Sequence, residues 1–260
     1  MQIICAILAY MKIKLLHEVR APKSKAELAN IIKAQRISEK VLSDVLKFLK
    51  LNISEVEVQD FIKNQFIKYG APVLSFTPIV AFGKNTANIH HEPNDTKLKL
   101  GDIIMLDFGT TVKHYCSDMT RTFFFGLAID KKGKIKQEKL FKIYKDVLKA
   151  NELAIKLLEK GEKDAKKVDS SARNFLTSKY KNNFKHGLGH GVGTVIHEWP
   201  NFKPNTSDTL PVGCVMTIEP GIYIKGLGGV RIEDMIHIKQ KGAENLTKVQ
   251  KDFQNAILKV

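Results

Sequence analysis

The segment Gly101–Gly109 reads GDIIMLDFG, and Gly213–Gly221, 112 residues further along (213 − 101), reads GCVMTIEPG. Both are short apolar runs bounded by glycine, a pattern typical of core strands. Each run carries an acid at its seventh position, Asp107 in the first and Glu219 in the second. A carboxylate buried without a partner is energetically costly, so both acids are expected to share a cation. The repeat therefore predicts two half-domains that meet around a charged site.

The composition is that of a globular protein. The chain has 260 residues, 43% of them hydrophobic, which is enough for one large packed domain. No apolar run approaches the roughly 20 residues of a membrane span, and the opening Met1–Tyr10 lacks the basic start and cleavage site of a signal peptide. Cys5, Cys116 and Cys214 are too few and too scattered for a disulfide framework. We therefore expect a cytoplasmic protein without membrane contacts.

The charge balance is strongly basic. Lys and Arg number 42 against 27 Asp and Glu, a net charge of +15, and such an excess attracts nucleic acids. The lysines are nevertheless spread along predicted helices and loops, without a zinc-finger, basic-zipper or aromatic RNA-binding pattern. We expect a lysine-rich surface and no specific nucleic-acid partner, with loose attraction to polyanions left open.

Helices and strands alternate in blocks. Capping boxes, in which a serine is followed three residues later by a glutamate, predict helix starts at Ser24 and Ser54. The first helix is expected to end near Leu49 and the second at Gly70, where glycine favours termination. Two more helices are predicted at about residues 140–160 and 165–176, and strand regions at about 79–125 and 184–238. Helices then strands, twice over, predict an α+β fold with pseudo-twofold halves and largely antiparallel strands.

Five polar residues stand in or beside the predicted strands: Asp107, Asp118, His190, Glu219 and Glu233. The eleven- and fourteen-residue gaps between the paired acids suit two hairpins whose carboxylates face one another. Four converging carboxylates repel and raise one another's pKa values. Two divalent ions would neutralise them, and one imidazole would complete the ligand set. Oxygen-rich ligation with a single nitrogen suits Mn²⁺, Co²⁺, Fe²⁺ or Zn²⁺ rather than a thiolate zinc site.

A glycine-rich segment lies between the two hairpins. His186–Pro200 reads HGLGHGVGTVIHEWP, and its alternating glycines leave room for backbone and substrate near the expected ions. The spacing matches neither a dinucleotide fingerprint nor a zincin helix, because Val192 and Asn201 stand where those motifs need glycine and histidine.

These motifs together resemble the pita-bread metallopeptidases, and most closely their Xaa-Pro branch, prolidase (Xaa-Pro dipeptidase) and Xaa-Pro aminopeptidase. The resemblance runs from about Arg20 to Ile238. The segments that carry it are Leu106–Gly109, Ser117–Thr122, Gly189–Gly193, Ile196–Glu198, Ile218–Tyr223 and Gly229–Asp234. The last two favour the Xaa-Pro branch over methionine aminopeptidases.

The resemblance implies a dinuclear metal site, with Mn²⁺ or Co²⁺ expected before Fe²⁺ or Zn²⁺. Asp107 would bind one ion, Asp118 and Glu233 would bridge the pair, and His190 and Glu219 would bind the other. A hydroxide bridging the two ions would be the nucleophile.

The resemblance also implies three catalytic residues. Glu219 would transfer the proton, His197 would steady the reacting carbonyl, and His90 would contact the substrate, whereas the neighbouring His91 is not expected to participate. Arg231 and Arg121 are expected to assist the site or to pair with its acids.

The sequence thus predicts a metal-dependent exopeptidase that hydrolyses N-terminal Xaa-Pro bonds of proline-containing peptides, as a dipeptidase or an aminopeptidase. Residues 1–23 are interpreted as a short N-terminal remnant and 24–260 as the pita-bread catalytic domain; a homodimer is left open. Asn201 stands where some prolidases have an arginine for a dipeptide's carboxylate, so strict dipeptide selectivity is not predicted. The alternatives are a methionine aminopeptidase and a non-catalytic pita-bread scaffold that binds protein or RNA.

Overall fold

The structure, a computed structural model, describes Met11 and residues 16–260. The interpretation of Met1–Tyr10, including Cys5, concerns residues outside that range. The helices are α1 (Lys25–Phe48), α2 (Glu55–Lys68), α3 (Glu138–Glu159) and α4 (Ala165–Tyr180), with short 3₁₀ turns at Gly83–Ala87 and Lys181–Asn183. The strands are β1 (Ile79–Phe82), β2 (Ile103–Asp107), β3 (Thr111–Val112), β4 (Tyr115–Cys116), β5 (Thr120–Phe125), β6 (Gly189–Gly191), β7 (Glu198–Phe202), β8 (Val215–Ile218), β9 (Gly221–Ile224), β10 (Gly228–Arg231), β11 (Asp234–Ile238), β12 (Ala243–Asn245) and β13 (Ile257–Leu258).

Both predicted capping boxes are present at the helix starts. The Ser24 hydroxyl accepts a hydrogen bond from the backbone N–H of Glu27, whose carboxylate accepts one from the backbone N–H of Ser24. Ser54 and Glu57 make the same reciprocal pair. Each box satisfies two amides that the helix cannot bond internally, so local sequence fixes where α1 and α2 begin.

Two similar halves make up the fold. One sheet has the order β1-β2-β5-β13 and the other the order β12-β11-β8-β6-β7. Two helices precede each sheet. In both halves the strand that bears the repeated motif pairs antiparallel with the first strand of its half, β2 with β1 and β8 with β6. Only the pair β13 and β5 is parallel among the described strand pairings. The prediction of an α+β fold with pseudo-twofold halves is confirmed.

The helices cover the outer faces of the sheets. In the first half, Val41 of α1 and Phe66 of α2 pack with Leu106 of β2 in one buried cluster. In the second half, Tyr144 of α3 and Leu176 of α4 belong to another buried cluster. Each pair of helices thus buries its apolar face against the sheet of its own half, and a cavity lined by residues of both halves lies between them.

The acids lie at strand ends and joints rather than inside the strands. Asp107 is the last residue of β2 and stands opposite Thr120 of β5, whereas Asp118 precedes β5. Glu219 and Glu233 flank the point where the β8–β11 ribbon passes into the β9–β10 ribbon. The prediction of paired hairpins is confirmed, but the acids sit where the hairpins bend, since the β3–β4 turn and Pro220 interrupt regular pairing there.

A buried ion network lies behind this bend. Arg121, 1% exposed, donates to the Asp234 carboxylate at 2.7 Å and to the carbonyl oxygens of Glu233 at 2.5 Å and Val249 at 3.0 Å. Lys251 contacts the other carboxylate oxygen of Asp234. The network joins the two halves and holds the backbone of Glu233, one of the predicted metal ligands.

Replacing Arg121 by methionine is expected to lower the free energy of unfolding by about 3–5 kcal/mol, because Asp234 loses a partner in a buried site. Urea unfolding monitored by circular dichroism measures the change. Lys167→Met is the control, since the Lys167–Glu162 pair is exposed at the lysine and exposed pairs contribute less than about 1 kcal/mol. Equal losses in the two variants would contradict the structural role of the network.

Among the residues that the structure describes, none of the helices combines the length and the apolarity that crossing a lipid bilayer requires.

Candidate metal centre

A cavity of about 880 Å³ opens between the two halves. All seven residues predicted to bind metal or act on substrate line it: His90, Asp107, Asp118, His190, His197, Glu219 and Glu233. The strand-end positions bring together residues as far apart in sequence as His90 and Glu233. The predicted convergence is therefore observed, while the role of each residue stays a prediction.

His190 lies at the centre of the acids. Its Nε2 is 3.4 Å from Glu219 Oε1 and 3.7 Å from Asp118 Oδ2. Potential ligand atoms of Asp118, His190 and Glu233 all lie within 4.8 Å of one another. Three donors at that spacing can surround one cation.

The tautomer of His190 is set by its neighbour. Nδ1 lies 3.1 Å from the carbonyl oxygen of Gly191, and because a carbonyl can only accept, Nδ1 must carry the proton. In the neutral ring Nε2 is then an acceptor aimed at the acids. This is the arrangement in which a carbonyl orients a metal-binding histidine.

Two buried carboxylate oxygens identify a place for cations. Within the described part of the chain, neither Asp107 Oδ1 nor Asp118 Oδ1 has a hydrogen-bond partner. Buried polar atoms are nearly always bonded, and an unpaired carboxylate oxygen is costly to bury. The donor set of four carboxylates and one imidazole supplies what a hard or borderline divalent ion prefers. The residues present therefore fit a divalent metal centre.

Arg231 connects the acids to one another. Its Nη2 donates to Asp107 Oδ2 at 2.6 Å and its Nε to Thr120 Oγ1 at 3.0 Å. Thr120 Oγ1 in turn donates to Glu233 Oε2 at 2.7 Å. Asp107 can thus keep Arg231 on one oxygen and offer the other to a cation. The pairing of Arg231 and of Arg121 with acids, one of the two predicted options, is what the structure contains.

A second branch of the same network ends at His186. Arg231 Nη1 donates to the Tyr223 hydroxyl at 2.8 Å, and this hydroxyl lies 2.9 Å from His186 Nε2. His186 Nδ1 lies 2.8 Å from the Gly187 carbonyl, so Nδ1 donates and Nε2 accepts from Tyr223. His186 therefore lines the cavity as a neutral, fixed imidazole.

Burial and mutual repulsion raise the pKa values of three acids at the site. Burial raises the pKa of Glu219 to about 8, with Arg231 opposing the shift. Burial also raises the pKa of Asp118 well above its ordinary value, and the charge on Glu233 adds to the shift. The pKa of Glu233 is likewise raised well above its ordinary value, by burial first and then by the charge on Glu219. Such groups gain most from a nearby cation.

The pKa values of three histidines at the site are lowered. Burial lowers the pKa of His190 to about 4 and that of His186 to about 3. Burial, followed by the charge of His90, also lowers the pKa of His197. At neutral pH these rings are uncharged, the form in which an imidazole nitrogen can bind a metal or donate a hydrogen bond without repelling a cation.

Glycines allow the close approach that the predicted glycine-rich segment requires. A Cβ on Gly189 would lie 2.0 Å from the carbonyl oxygen of Thr217, and one on Gly109 would lie 1.9 Å from that of Ser117. Neither site tolerates a side chain, so β6 and the Asp118 loop can press against the strands that carry Glu219 and Asp107. For Gly189, which belongs to the segment His186–Pro200, the prediction that its glycines make room for backbone is confirmed; Gly109 lies outside that segment.

His197 and His90, the two histidines predicted to act on the substrate, are exposed, whereas His91 is buried. His197 is exposed to the cavity, with its ring centroid 4.3 Å from that of His190. His90 is also exposed at the cavity wall. His91 borders the cavity, but its Nε2 contacts the buried Glu55 carboxylate at 2.7 Å, a pairing that agrees with its predicted lack of a role.

Sequence reasoning assigned no role to Tyr223, Thr120 or His186, although His186 was within the quoted glycine-rich segment. Their contacts join residues up to 113 positions apart, and no periodicity encodes such pairs. A histidine four residues before His190 was the one available signal.

Comparison with known proteins places the chain among peptidases. The model of metallopeptidase family M24 matches residues 29–240. A Mycoplasma genitalium protein, provisionally named an Xaa-Pro aminopeptidase, is 42% identical over 232 residues, or 89% of this chain and 64% of that protein. The chain thus spans less than two thirds of that relative's length.

Solved structures show the same likeness. An X-Pro aminopeptidase from Thermotoga maritima has a TM-score of 0.84 at 32% identity, covering 94% of this chain and 66% of its own. A prolidase from Pyrococcus furiosus has a TM-score of 0.82 at 36% identity, covering 91% and 68%.

Proposed function

Because the chain belongs to metallopeptidase family M24, with the pita-bread fold of its solved relatives, we propose that it is a metal-dependent exopeptidase that hydrolyses N-terminal Xaa-Pro bonds. The observation that carries the proposal is the convergence of four carboxylates and one imidazole, with two unpartnered carboxylate oxygens among the described residues, in an open cavity. The relatives that are named for Xaa-Pro peptidase or prolidase activity support the same substrate class.

We assign the divalent ions, two in number and Mn²⁺ or Co²⁺ first among the candidates, to Asp107, Asp118, His190, Glu219 and Glu233. When bound, such ions supply Lewis-acid polarisation of a peptide carbonyl and a nucleophile derived from water near neutral pH. The free oxygens of Asp107 and Asp118 and the acceptor Nε2 of His190 support this ligand set.

The remaining chemistry belongs to the chain's own side chains. Glu219 lies at the cavity with one oxygen 3.4 Å from His190 and the other 4.0 Å from His186. This carboxylate accepts a proton from water and delivers it to the leaving nitrogen, since a general base works best with a pKa near the operating pH. His197, neutral at that pH, donates its ring N–H to the carbonyl oxygen as negative charge develops. His90, which lines the same cavity, contacts the substrate.

The apolar wall supports recognition of proline. A bond to proline has no N–H to donate, so selectivity has to come from the shape of the ring and its apolar surface. The apolar residues that line the cavity are Phe76, Pro78, Ile79, Ile89, Pro93 and Phe202.

We further propose that residues 24–260 constitute the catalytic domain and that the protein acts in the cytoplasm.

The sequence leaves open whether the chain forms a homodimer. Sedimentation of the purified chain, with and without Mn²⁺, measures its oligomeric state.

An activity panel tests the function. The chain, stripped with EDTA and reloaded with Mn²⁺ or Co²⁺, is given Xaa-Pro dipeptides, longer Xaa-Pro peptides, Met-Ala peptides and N-acetylated Xaa-Pro peptides. We expect metal-dependent cleavage of free-amino Xaa-Pro substrates and none of the acetylated control. Preferential cleavage of Met-Ala peptides would favour a methionine aminopeptidase, and absence of metal uptake with tight RNA retention would favour a non-catalytic scaffold.

A further inference from the structure

Lys23, just before α1, has a buried side chain. Its side chain is 3% exposed, and its ammonium contacts Glu198 and the carbonyl oxygens of Ala21 at 2.8 Å and Arg20 at 3.1 Å. Burying an ammonium is costly unless it is paired and hydrogen-bonded. These three contacts offset the cost of burying the Lys23 ammonium, and together they hold the Glu198 carboxylate beside residues 20–23.

Glu198 receives a second cation from the same segment. Arg20 Nη2 lies 3.3 Å from the other carboxylate oxygen of Glu198 and 2.7 Å from Thr194 Oγ1. His17 stacks on Trp199, with ring centroids 6.1 Å apart and planes inclined by 7°. Residues 17–23 therefore touch both ends of the stretch from Thr194 to Trp199.

That stretch folds onto the Glu198 carboxylate. A Cβ on Gly193 would lie 2.2 Å from Glu198 Oε1, so a side chain at this position would displace the Glu198 carboxylate. The backbone N–H of Gly193 donates to the Val195 carbonyl at 3.2 Å, and the Gly193 carbonyl accepts from Cys116 N–H at 2.8 Å. The loop is anchored at Gly193 by backbone and at Glu198 by two cations.

His197 lies inside this anchored loop, next to Glu198. Its side chain is exposed to the cavity and faces the His190 ring, so its direction depends on the backbone on either side. A displacement of about 1 Å in a group that contacts the reacting atoms can cost about a hundredfold in rate.

We propose that Lys23 and Arg20 are positioning residues that act through Glu198 to aim His197 at the substrate carbonyl. Both precede residues 29–240, the part matched by the family model, so the contact is supplied from outside the matched region. The proposal rests on the proposed function, because the role of His197 is assigned there.

The test compares the full chain with Lys23→Met, Arg20→Gln and Lys23→Arg, and uses two readouts. For Lys23→Met we expect kcat on an Xaa-Pro peptide to fall about tenfold or more with KM within about twofold, since an oxyanion donor acts chiefly in the transition state. Hydrogen–deuterium exchange of peptides spanning residues 193–199 should rise, with exchange elsewhere and Mn²⁺ binding unchanged. Lys23→Arg keeps the positive charge, so its kcat should lie between those of Lys23→Met and wild type. Lys97→Met, which breaks the exposed Lys97–Glu57 pair, is the control and should match wild type.

Wild-type kcat and wild-type protection of residues 193–199 in Lys23→Met would overturn the proposal. So would a rise in exchange across the whole chain with loss of Mn²⁺ binding, because that marks a general stabilising role. Should Lys23→Met fail to fold, Arg20→Gln decides by the same criteria, as Arg20 is 45% exposed at its side chain. If the wild type cleaves no Xaa-Pro peptide, the proposed function fails, but the exchange data still show whether Lys23 holds the loop.

Discussion

Replacing Glu219 by glutamine is expected to lower kcat for Xaa-Pro hydrolysis by about a thousandfold, within the range for loss of a general acid–base group. The substitution keeps the size of the side chain, but it removes the charge and the proton acceptor. Steady-state kinetics at saturating Mn²⁺ measure the effect, and atomic absorption reports metal content, so that loss of chemistry and loss of metal are separated.

Glu92→Gln is the matched control for this variant. Glu92 borders the same cavity and is exposed, yet we assign it no contact with the reacting atoms, so its kcat should stay within about threefold of wild type. A Glu219→Gln enzyme that keeps more than about a tenth of wild-type kcat would contradict the role given to Glu219.

The second large effect concerns pH and metal. Because the folded-state pKa of Glu219 is about 8, its contribution to the stability of the metal-free protein is fully present below the ordinary carboxylate pKa. That contribution is lost as pH rises through the folded pKa, as it is for Asp118 and Glu233, whose values are also raised. EDTA-treated protein should therefore lose unfolding free energy between about pH 5 and pH 8.

Metal reverses the trend, because ligands must be deprotonated to bind it. Mn²⁺ affinity should rise by about tenfold per pH unit for each proton released. His190, with a pKa of about 4, is already neutral above pH 5, so its protonation does not oppose metal binding there. Urea unfolding of stripped and loaded protein, with calorimetry in buffers of different ionisation enthalpy, measures both quantities. Mn²⁺ affinity that is independent of pH, without proton release, would contradict the assignment of these acids as ligands.

Much of the fold was predictable because its signals are local. Capping boxes at Ser24 and Ser54 depend on residues three apart, and the repeated strand motif bears its acid at an equivalent position in both halves. The convergence of the acids at one cavity was predictable for a related reason: acids in apolar runs are rare, so Asp107 and Glu219 were expected to need a cation.

The sequence could not predict the polar contacts between residues that are far apart in the chain. The Arg231–Tyr223–His186 branch closes across 37 residues between histidine and tyrosine, and the Lys23–Glu198 pair closes across 175. Apolar periodicity carries no information on such polar pairs. The bend at Asp118 was also missed, since a short run of alternating residues does not distinguish a strand from the turn that precedes it.

The central claim is that the two halves of the chain meet to hold divalent ions between their acids. Diffraction from crystals of the manganese-loaded protein, collected at the manganese absorption edge, tests it directly. The account predicts anomalous density in contact with Asp107, Asp118, His190, Glu219 and Glu233. Manganese density elsewhere only, with these five side chains apart and without an ion between them, would contradict it.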